Sequence, residues 1–81
     1  MSRDMKMYHA AVTEAWNYFK KWSAMLPLSG EQWTEALREG GAITKAFPEE
    51  YQRFISEELI TKVNELERIE KDRRKNGNEC T

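Results

Sequence analysis

The chain has 81 residues, which is enough for one small domain and too few for two. Hydrophobic residues make up 40% of it and aromatic residues 11%, so it has the apolar material that a core needs. Fourteen acidic and thirteen basic residues exclude a strongly basic binder of nucleic acid or anionic membrane. One cysteine, Cys80, and one histidine, His9, exclude a disulfide framework or a Cys/His zinc site within one chain.

The first predicted helix covers residues 3–26. Apolar residues recur in this segment at intervals of three and four, which is the spacing of one helix face. Pro27 should end the helix because the residue before a proline is pushed out of the α-helical region. The apolar stripe consists of Met5, Tyr8, Val12, Ala15, Phe19, Trp22 and Leu26.

The second predicted helix covers residues 30–46. Ser29 and Gln32 have the spacing of a capping box, which marks a helix start. Two readings of Gly40 and Gly41 remain open, because a glycine pair weakens a helix: one continuous helix, or a break at the pair. In a continuous helix, Gly40 lies at the centre of the apolar arc and would allow a neighbouring helix to approach closely.

The third predicted helix covers residues 48–74. Pro48, Glu49 and Glu50 suit a first helical turn, where a missing N–H is harmless and negative charge meets the positive end of the helix dipole. Asn76-Gly77-Asn78 reads as a helix stop. We therefore expect a single domain over residues 1–75 and a disordered tail over residues 76–81.

These elements predict an all-α, three-helix domain with two long helices and a shorter middle helix. No stretch alternates apolar and polar residues as a strand would, and short connections favour antiparallel neighbours. The predicted core consists of Tyr8, Val12, Ala15, Phe19, Trp22, Leu26, Trp33, Leu37, Tyr51, Ile55, Leu59 and Leu66.

The sequence offers no candidate set for catalysis. It has no glycine-rich phosphate loop and none of the common nucleophile or zinc motifs, and its paired glutamates suit solvated helix faces. We therefore predict a protein that is not an enzyme, with no catalytic residues, no metal ligands, no cofactor and no small-molecule substrate.

The apolar arc of helix 1 spans about 180°, where about 100° would cover one core face. One explanation is that helix 1 is central and packs against both other helices. The other is that one edge, either Trp16 with Met5 or Tyr18 with Met7 and Met25, stays exposed for a partner. The predicted partner-binding residues are Trp16, Tyr18, Ile60, Val63 and Ile69.

Three states remain open for these apolar stripes: a homodimer, a complex with a different protein, and a monomer whose loops and tail cover them. The alternative function is nucleic-acid binding through the basic face of helix 1 and the basic C-terminal tail. The first twelve residues have no apolar segment typical of a secretory signal, and no run approaches the length of a membrane span. We expect a cytoplasmic protein without membrane contact.

Several segments carry a resemblance to a known group of proteins. They are Ala15-Trp16-x-x-Phe19-Lys20-Lys21, then Gln32-Trp33, then Phe54-x4-Leu59-Ile60-x-x-Val63-x-Glu65-Leu66-Glu67-Arg68. Over residues 8 to 70 the chain resembles small, uncharacterised helical accessory proteins of bacterial prophages and other mobile elements. Gly40-Gly41 departs from that pattern, where a good helix former is expected. The resemblance implies a phage accessory protein that binds a host or defence protein, for example as an inhibitor of the anti-CRISPR kind, and it assigns no site residues.

Overall fold

The computed structural model describes residues 2–79, with side chains described through residue 74. Three helices make up the fold: α1 (Arg3–Ser23), α2 (Gly30–Ala46) and α3 (Glu49–Glu79). Over residues 2–79 the chain contains no strand. The all-α, three-helix prediction is confirmed, with two long helices and a shorter one between them.

Local capping explains where the first two helices begin. The Ser2 hydroxyl accepts a hydrogen bond from the Met5 amide at 3.2 Å. At α2 the capping box is complete, because the Gln32 amide donates to the Ser29 hydroxyl at 3.1 Å and the Ser29 amide donates to Gln32 Oε1 at 2.9 Å. The predicted start of α2 is confirmed.

Two helix ends differ from those that the sequence predicted. α1 ends at Ser23 rather than near Leu26. Ahead of Pro27 the chain forms a tighter turn, in which the Met25 amide donates to the Trp22 carbonyl and the Leu26 amide donates to the Ser23 carbonyl. α3 continues through Asn76-Gly77-Asn78 to Glu79. Asparagine and glycine are weak helix formers, but unlike proline they keep the backbone N–H that the helical hydrogen bond needs. The predicted stop therefore does not occur there. Within the predicted tail, Cys80 and Thr81 lie outside the described residues.

The helices run up, down and up, so α1 and α3 are parallel and α2 is antiparallel to both. Arg3 forms an ion pair with Glu50 at 2.9 Å, near the start of α1 and of α3. At the other end, the Leu28 amide donates to Glu70 Oε1 at 2.8 Å. The domain measures 53 × 24 × 16 Å, and α1 packs mainly against α3.

The core lies along one face of each helix, and on α1 this face is rotated from the predicted one. The predicted core positions Ala15, Trp22, Tyr51, Ile55, Leu59 and Leu66 are buried, and Ala11, Tyr18, Leu28 and Ala36 join them. Phe19, Leu26 and Trp33 are partly buried against this core.

Three predicted core residues are exposed: Tyr8, Val12 and Leu37. Small side chains at Ala11, Ala15 and Ala36 face the interior instead, which lets the helix axes approach closely. The larger residues beside them on the helix surface are thereby turned toward solvent. The core prediction is wrong at these three positions.

Candidate functional site

A groove of about 200 Å³ runs between α2 and α3 on the outer surface of the bundle. Leu37 and Ile60 stand on its opposite sides and are 57% and 56% exposed. The α2–α3 groove, as we call it, is lined by Tyr18, Leu37, Gly40, Gly41, Thr44, Ser56, Leu59, Ile60 and Val63. Its wall is almost entirely apolar.

The glycine pair contributes to the openness of the α2–α3 groove. α2 is continuous through Gly40 and Gly41, and neither has a positive φ angle. A Cβ atom at Gly41 would meet nothing within 4 Å, and one at Gly40 would lie 3.7 Å from the Tyr18 hydroxyl oxygen, an ordinary van der Waals distance. A larger residue such as alanine would therefore fit at both positions within the described chain. Each glycine nevertheless costs about 1 kcal/mol of helix stability relative to alanine.

The floor of the groove is held by Tyr18. Its side chain is only 3% exposed, and its hydroxyl donates to the Ala36 carbonyl oxygen at 2.7 Å. Burial, together with the nearby negative charge of Glu39, raises the pKa of Tyr18 to about 12. The ring is therefore neutral at any physiological pH and works as a fixed hydrogen-bond donor between α1 and α2.

Glu39 supports the same corner of the structure. Its carboxylate accepts hydrogen bonds from Lys21 Nζ at 2.6 Å and from Trp22 Nε1 at 2.5 Å. Burial acts to raise the pKa of Glu39, but the hydrogen bonds from Lys21 and Trp22 and the charge of Lys21 outweigh it and hold the pKa below its usual range. The carboxylate is thus ionised at neutral pH and joins α2 to the end of α1.

A second apolar surface lies on α1. Met5, Val12 and Trp16 are 55%, 48% and 51% exposed, and we call these three residues the α1 face. Trp16 stacks on Phe19 with ring centroids 5.8 Å apart. Tyr8 lies beside the α1 face and contacts Phe54 of α3, with centroids 4.9 Å apart. The α1 face therefore borders the seam between α1 and α3.

The predicted partner-binding residues do not form one surface. Trp16 belongs to the α1 face, whereas Ile60 and Val63 line the α2–α3 groove together with Tyr18, which forms its floor. Ile69 is half-buried on α3 and lines neither surface. The predicted exposure of Tyr18 is wrong, because its ring reaches under α2 to bond the Ala36 carbonyl.

Sequence reasoning missed Leu37, Gly40 and Gly41 as groove residues. Leu37 was assigned to the core because it falls within the apolar arc of the second helix. The sequence did contain a signal for the groove. Two adjacent glycines lower the stability of a helix, and Gly40 and Gly41 lie one turn from the apolar residue Leu37 on the same helix face.

The histidine and acidic side chains of the described residues are dispersed over the helices. Among residues whose placement is described, no three His, Cys, Asp or Glu side chains are grouped so that they could hold a metal ion. Within that same set, every buried side-chain nitrogen and oxygen has a hydrogen-bond partner. His9 is exposed on α1.

Many basic side chains are engaged by acids of the same chain. Ion pairs join Lys21 to Glu39 across two helices and Arg68 to both Glu65 and Asp72 along α3. Others with the same role are Arg3–Glu50, Arg38–Glu35, Arg53–Glu57, Lys62–Glu58 and Arg74–Glu70. This pairing weakens the positive potential that a phosphate backbone would meet.

Comparison with models of known protein families, with curated proteins and with solved structures finds no match to this chain. None of the helices in the described range is both long and apolar enough to cross a membrane.

Proposed function

We propose that this chain is a non-enzymatic protein-binding module whose partner inserts apolar side chains into the α2–α3 groove. One observation carries the proposal: Leu37 and Ile60 are both more than half exposed on opposite sides of one concave, apolar surface. Scattered exposed apolar residues are ordinary, but a contiguous apolar concavity is typical of a binding site.

The glycine pair supports this assignment. Gly40 and Gly41 lower the stability of α2, and packing inside the described chain does not require their lack of a side chain. Departures from local stability that the fold does not need are expected at functional positions. A partner that approaches the α2 backbone closely would need the space that the missing side chains leave.

The dimensions of the groove indicate what the partner presents. A closed apolar cavity of about 150 Å³ holds a benzene ring, so a groove of about 200 Å³ suits one large aliphatic or aromatic side chain. From Leu37 to Thr44 the groove follows α2 for two turns, or about 10 Å. The matching ligand is an amphipathic helix of the partner with apolar residues one turn apart.

The identity of the partner is proposed from the resemblance alone. The similarity to prophage accessory proteins indicates a host or defence protein as the bound species, with inhibition of that protein as the outcome. Nucleic-acid binding is the alternative, and the ion pairs that engage Arg3 and Lys21 of α1 and Arg68 and Arg74 of α3 weigh against it.

Affinity capture from bacterial host cells, compared across variants, tests the proposal. The control variant is Asn64→Asp, because Asn64 is exposed one turn along α3 and lies outside the groove. Wild type and this variant should retain the same protein in stoichiometric amounts. Ile60→Asp should lose it, because a charge on the groove wall must be desolvated on binding. Equal capture by Ile60→Asp and wild type would contradict the groove assignment.

Salt dependence then separates the two classes of partner. A complex held by apolar contacts should change its affinity by less than about tenfold between 50 and 200 mM salt, whereas a protein that makes many phosphate contacts loses about 10³-fold or more. A steep loss accompanied by bound nucleic acid would favour the alternative function.

A further inference from the structure

A pocket of about 300 Å³ opens between α1 and the end of α2, and it shares no residue with the α2–α3 groove. We call it the α1–α2 pocket. Its walls are Met7, Ala10 and Glu14 of α1, Ile43 and Ala46 of α2, and the Phe47–Pro48 turn. Glu14 is the one charged residue among these, so a single carboxylate borders an otherwise apolar wall.

Glu14 lies on the side of α1 that faces α2. Tyr18, one turn later on α1, donates to the Ala36 carbonyl of α2, and Lys21, two turns later, pairs with Glu39 of α2. Residues four and seven apart share one helix face, so Glu14 belongs to this same side. Its carboxylate therefore stands beside the gap between the two helices, and it is exposed there.

The charge of Glu14 is not balanced by a neighbour on its own helix. An ion pair within a helix joins residues three or four apart, and none of the four such positions around Glu14 is basic. They are Ala10, Ala11, Asn17 and Tyr18. Among the described side chains, none forms an ion pair with Glu14.

The basic residues nearest the α1–α2 pocket are engaged elsewhere or lie away from Glu14. Arg3 pairs with Glu50, and Lys21 pairs with Glu39. Lys6 is about 12 Å from Glu14 along α1, at 1.5 Å per residue. Lys45 is turned about 100° around α2 from the pocket residue Ala46. The negative charge at the pocket is thus left for a ligand to complement.

We infer that a lysine or arginine side chain of the protein partner occupies the α1–α2 pocket, an inference that rests on the proposed function. Its methylene stem lies on Ile43 and Phe47, and its cationic group pairs with the Glu14 carboxylate. Lysine and arginine bury their stems along apolar surface and keep the charged group at its edge. An acidic side chain would meet a like charge, and an aliphatic one would cover Glu14 without a compensating contact, so charge complementarity selects a basic one.

Size and position agree with this occupant. A closed cavity of about 150 Å³ holds benzene, so an open pocket of about 300 Å³ has room for a stem of three or four methylene groups. Ile43 lines the α1–α2 pocket and the next residue, Thr44, lines the α2–α3 groove. One partner can therefore hold the second half of α2 from both sides, with an apolar anchor in the groove and a basic one in the pocket.

Titration of the full chain with blocked amino acids, followed by amide chemical shifts of Ile43 and Phe47, tests the pocket. The probes are the N-acetyl methylamides of lysine, arginine and norleucine, and norleucine keeps an aliphatic stem without the charge. Single side chains bind weakly, so we expect saturation in the range of about 1 to 50 mM. Lysine and arginine should bind about two- to fivefold more tightly than norleucine, and salt should reduce that advantage.

Matched variants separate the charge from the apolar wall. Glu14→Gln should abolish the advantage of lysine over norleucine, whereas Glu67→Gln, at an exposed acid outside the pocket, should preserve it. Ala46→Phe should fill the pocket and weaken all three probes, and Ala42→Phe, exposed on α2 and outside the pocket, should weaken none. Circular dichroism should show the same helix content in all four variants.

Affinity capture distinguishes this inference from the proposed function. Glu14→Lys should reduce the amount of captured protein at least about fivefold, because it sets a like charge against the partner's basic side chain. Loss of capture by Ile60→Asp alone, with Glu14→Lys unchanged, would leave the groove assignment standing and overturn the pocket. Loss by neither variant would overturn the proposed function itself. Equal binding of lysine and norleucine, or binding of none of the three probes, would also overturn the pocket.

Discussion

The Tyr18 hydroxyl donates a hydrogen bond to the Ala36 carbonyl oxygen at 2.7 Å, and this bond joins a side chain on α1 to the backbone of α2. The same ring lies beneath Gly40, so that a Cβ atom at Gly40 would be 3.7 Å from the hydroxyl oxygen. α1 and α2 contact each other little elsewhere. Tyr18 therefore sets both the position of α2 and the floor of the α2–α3 groove.

Tyr18→Phe should destabilise the domain by about 1 kcal/mol, because the ring stays while its buried hydrogen bond is lost. Urea denaturation at pH 7 measures the change. Tyr8→Phe is the matched control, since Tyr8 is an exposed ring on the same helix, and it should change the unfolding free energy by less than about 0.5 kcal/mol. Equal effects of the two substitutions would show that the hydroxyl of Tyr18 contributes nothing specific.

Alkaline pH should destabilise the wild-type domain through the same residue. The pKa of Tyr18 is raised to about 12 in the folded protein, whereas an unfolded tyrosine has a pKa of about 10. The folded state thus holds its proton more tightly, and stability present below pH 10 is lost as the pH rises from 10 to 12. Between pH 9 and pH 11, the urea midpoint should fall further for wild type than for Tyr18→Phe.

Glu39→Gln should destabilise the domain by about 1 kcal/mol at pH 7, because the ionised carboxylate accepts from both Lys21 and Trp22. The folded-state pKa of Glu39 is depressed, so this stabilisation is present above the unfolded pKa of about 4.3 and is lost as the pH falls below it. The difference from wild type should shrink between pH 5 and pH 3. Glu35→Gln, in an exposed pair with Arg38, should have almost no effect at either pH.

Gly41→Ala should stabilise the domain by about 0.5 to 1 kcal/mol and weaken partner binding. A Cβ atom there meets nothing within 4 Å, so alanine gains its helix propensity without a clash, yet it fills part of the α2–α3 groove. Thermal melts and a binding titration measure the two effects. Gly30→Ala, also unhindered but outside the groove, should leave binding unchanged. Unaltered binding by Gly41→Ala would argue against a close approach of the partner to α2.

Glu70→Ala should destabilise the domain by about 1 to 3 kcal/mol, because it leaves the Leu28 amide buried without an acceptor. Glu70→Gln keeps an acceptor oxygen and should recover most of the loss. Hydrogen exchange of the Leu28 amide provides a local readout, and it should quicken in the alanine variant and stay slow in the glutamine variant. The exposed neighbour Glu67→Ala should alter neither quantity.

Much of the fold could be predicted from local chemistry. The bounds of α2 follow from the capping box at Ser29 and from Pro48 beyond its end, and the structure matches the prediction there. α3 extended past Asn76-Gly77-Asn78 because propensity weakens a helix without forbidding it. Proline supplies a stricter signal, since it removes a hydrogen-bond donor outright.

The rotation of α1 could not be predicted from hydrophobicity alone. Its apolar arc offered two adjacent stripes, and Val12 ranks as more hydrophobic than Ala11 or Ala15. The structure buries the alanines because small side chains permit the close approach of α1 and α3, and it buries Tyr18 because the Ala36 carbonyl accepts its hydroxyl proton. Both reasons depend on a neighbouring helix whose position the sequence pattern does not contain.

Only part of the candidate site could be predicted from the sequence, because its assembly also depends on how the helices pack. Trp16 and Ile60 were recognised as apolar residues outside the main stripes, and both are exposed. Their separation onto two surfaces depends on how α3 is placed between α1 and α2, which is a tertiary property. Leu37 was misassigned because it lies at the edge of the predicted apolar arc of α2, and the structure leaves that edge exposed while it buries Ala36 of the same arc.

The parallel arrangement of α1 and α3 has a consequence for how the chain folds. α1 obtains most of its packing from α3, a helix that follows it only after the whole of α2. A fragment containing α1 and α2 alone would keep Tyr18 and Glu39 as its main cross-links and would lose the partners of Ala11 and Ala15. α1 and α2 alone would share only a small part of the core, so an α1–α2 hairpin should not be stable until α3 packs against it.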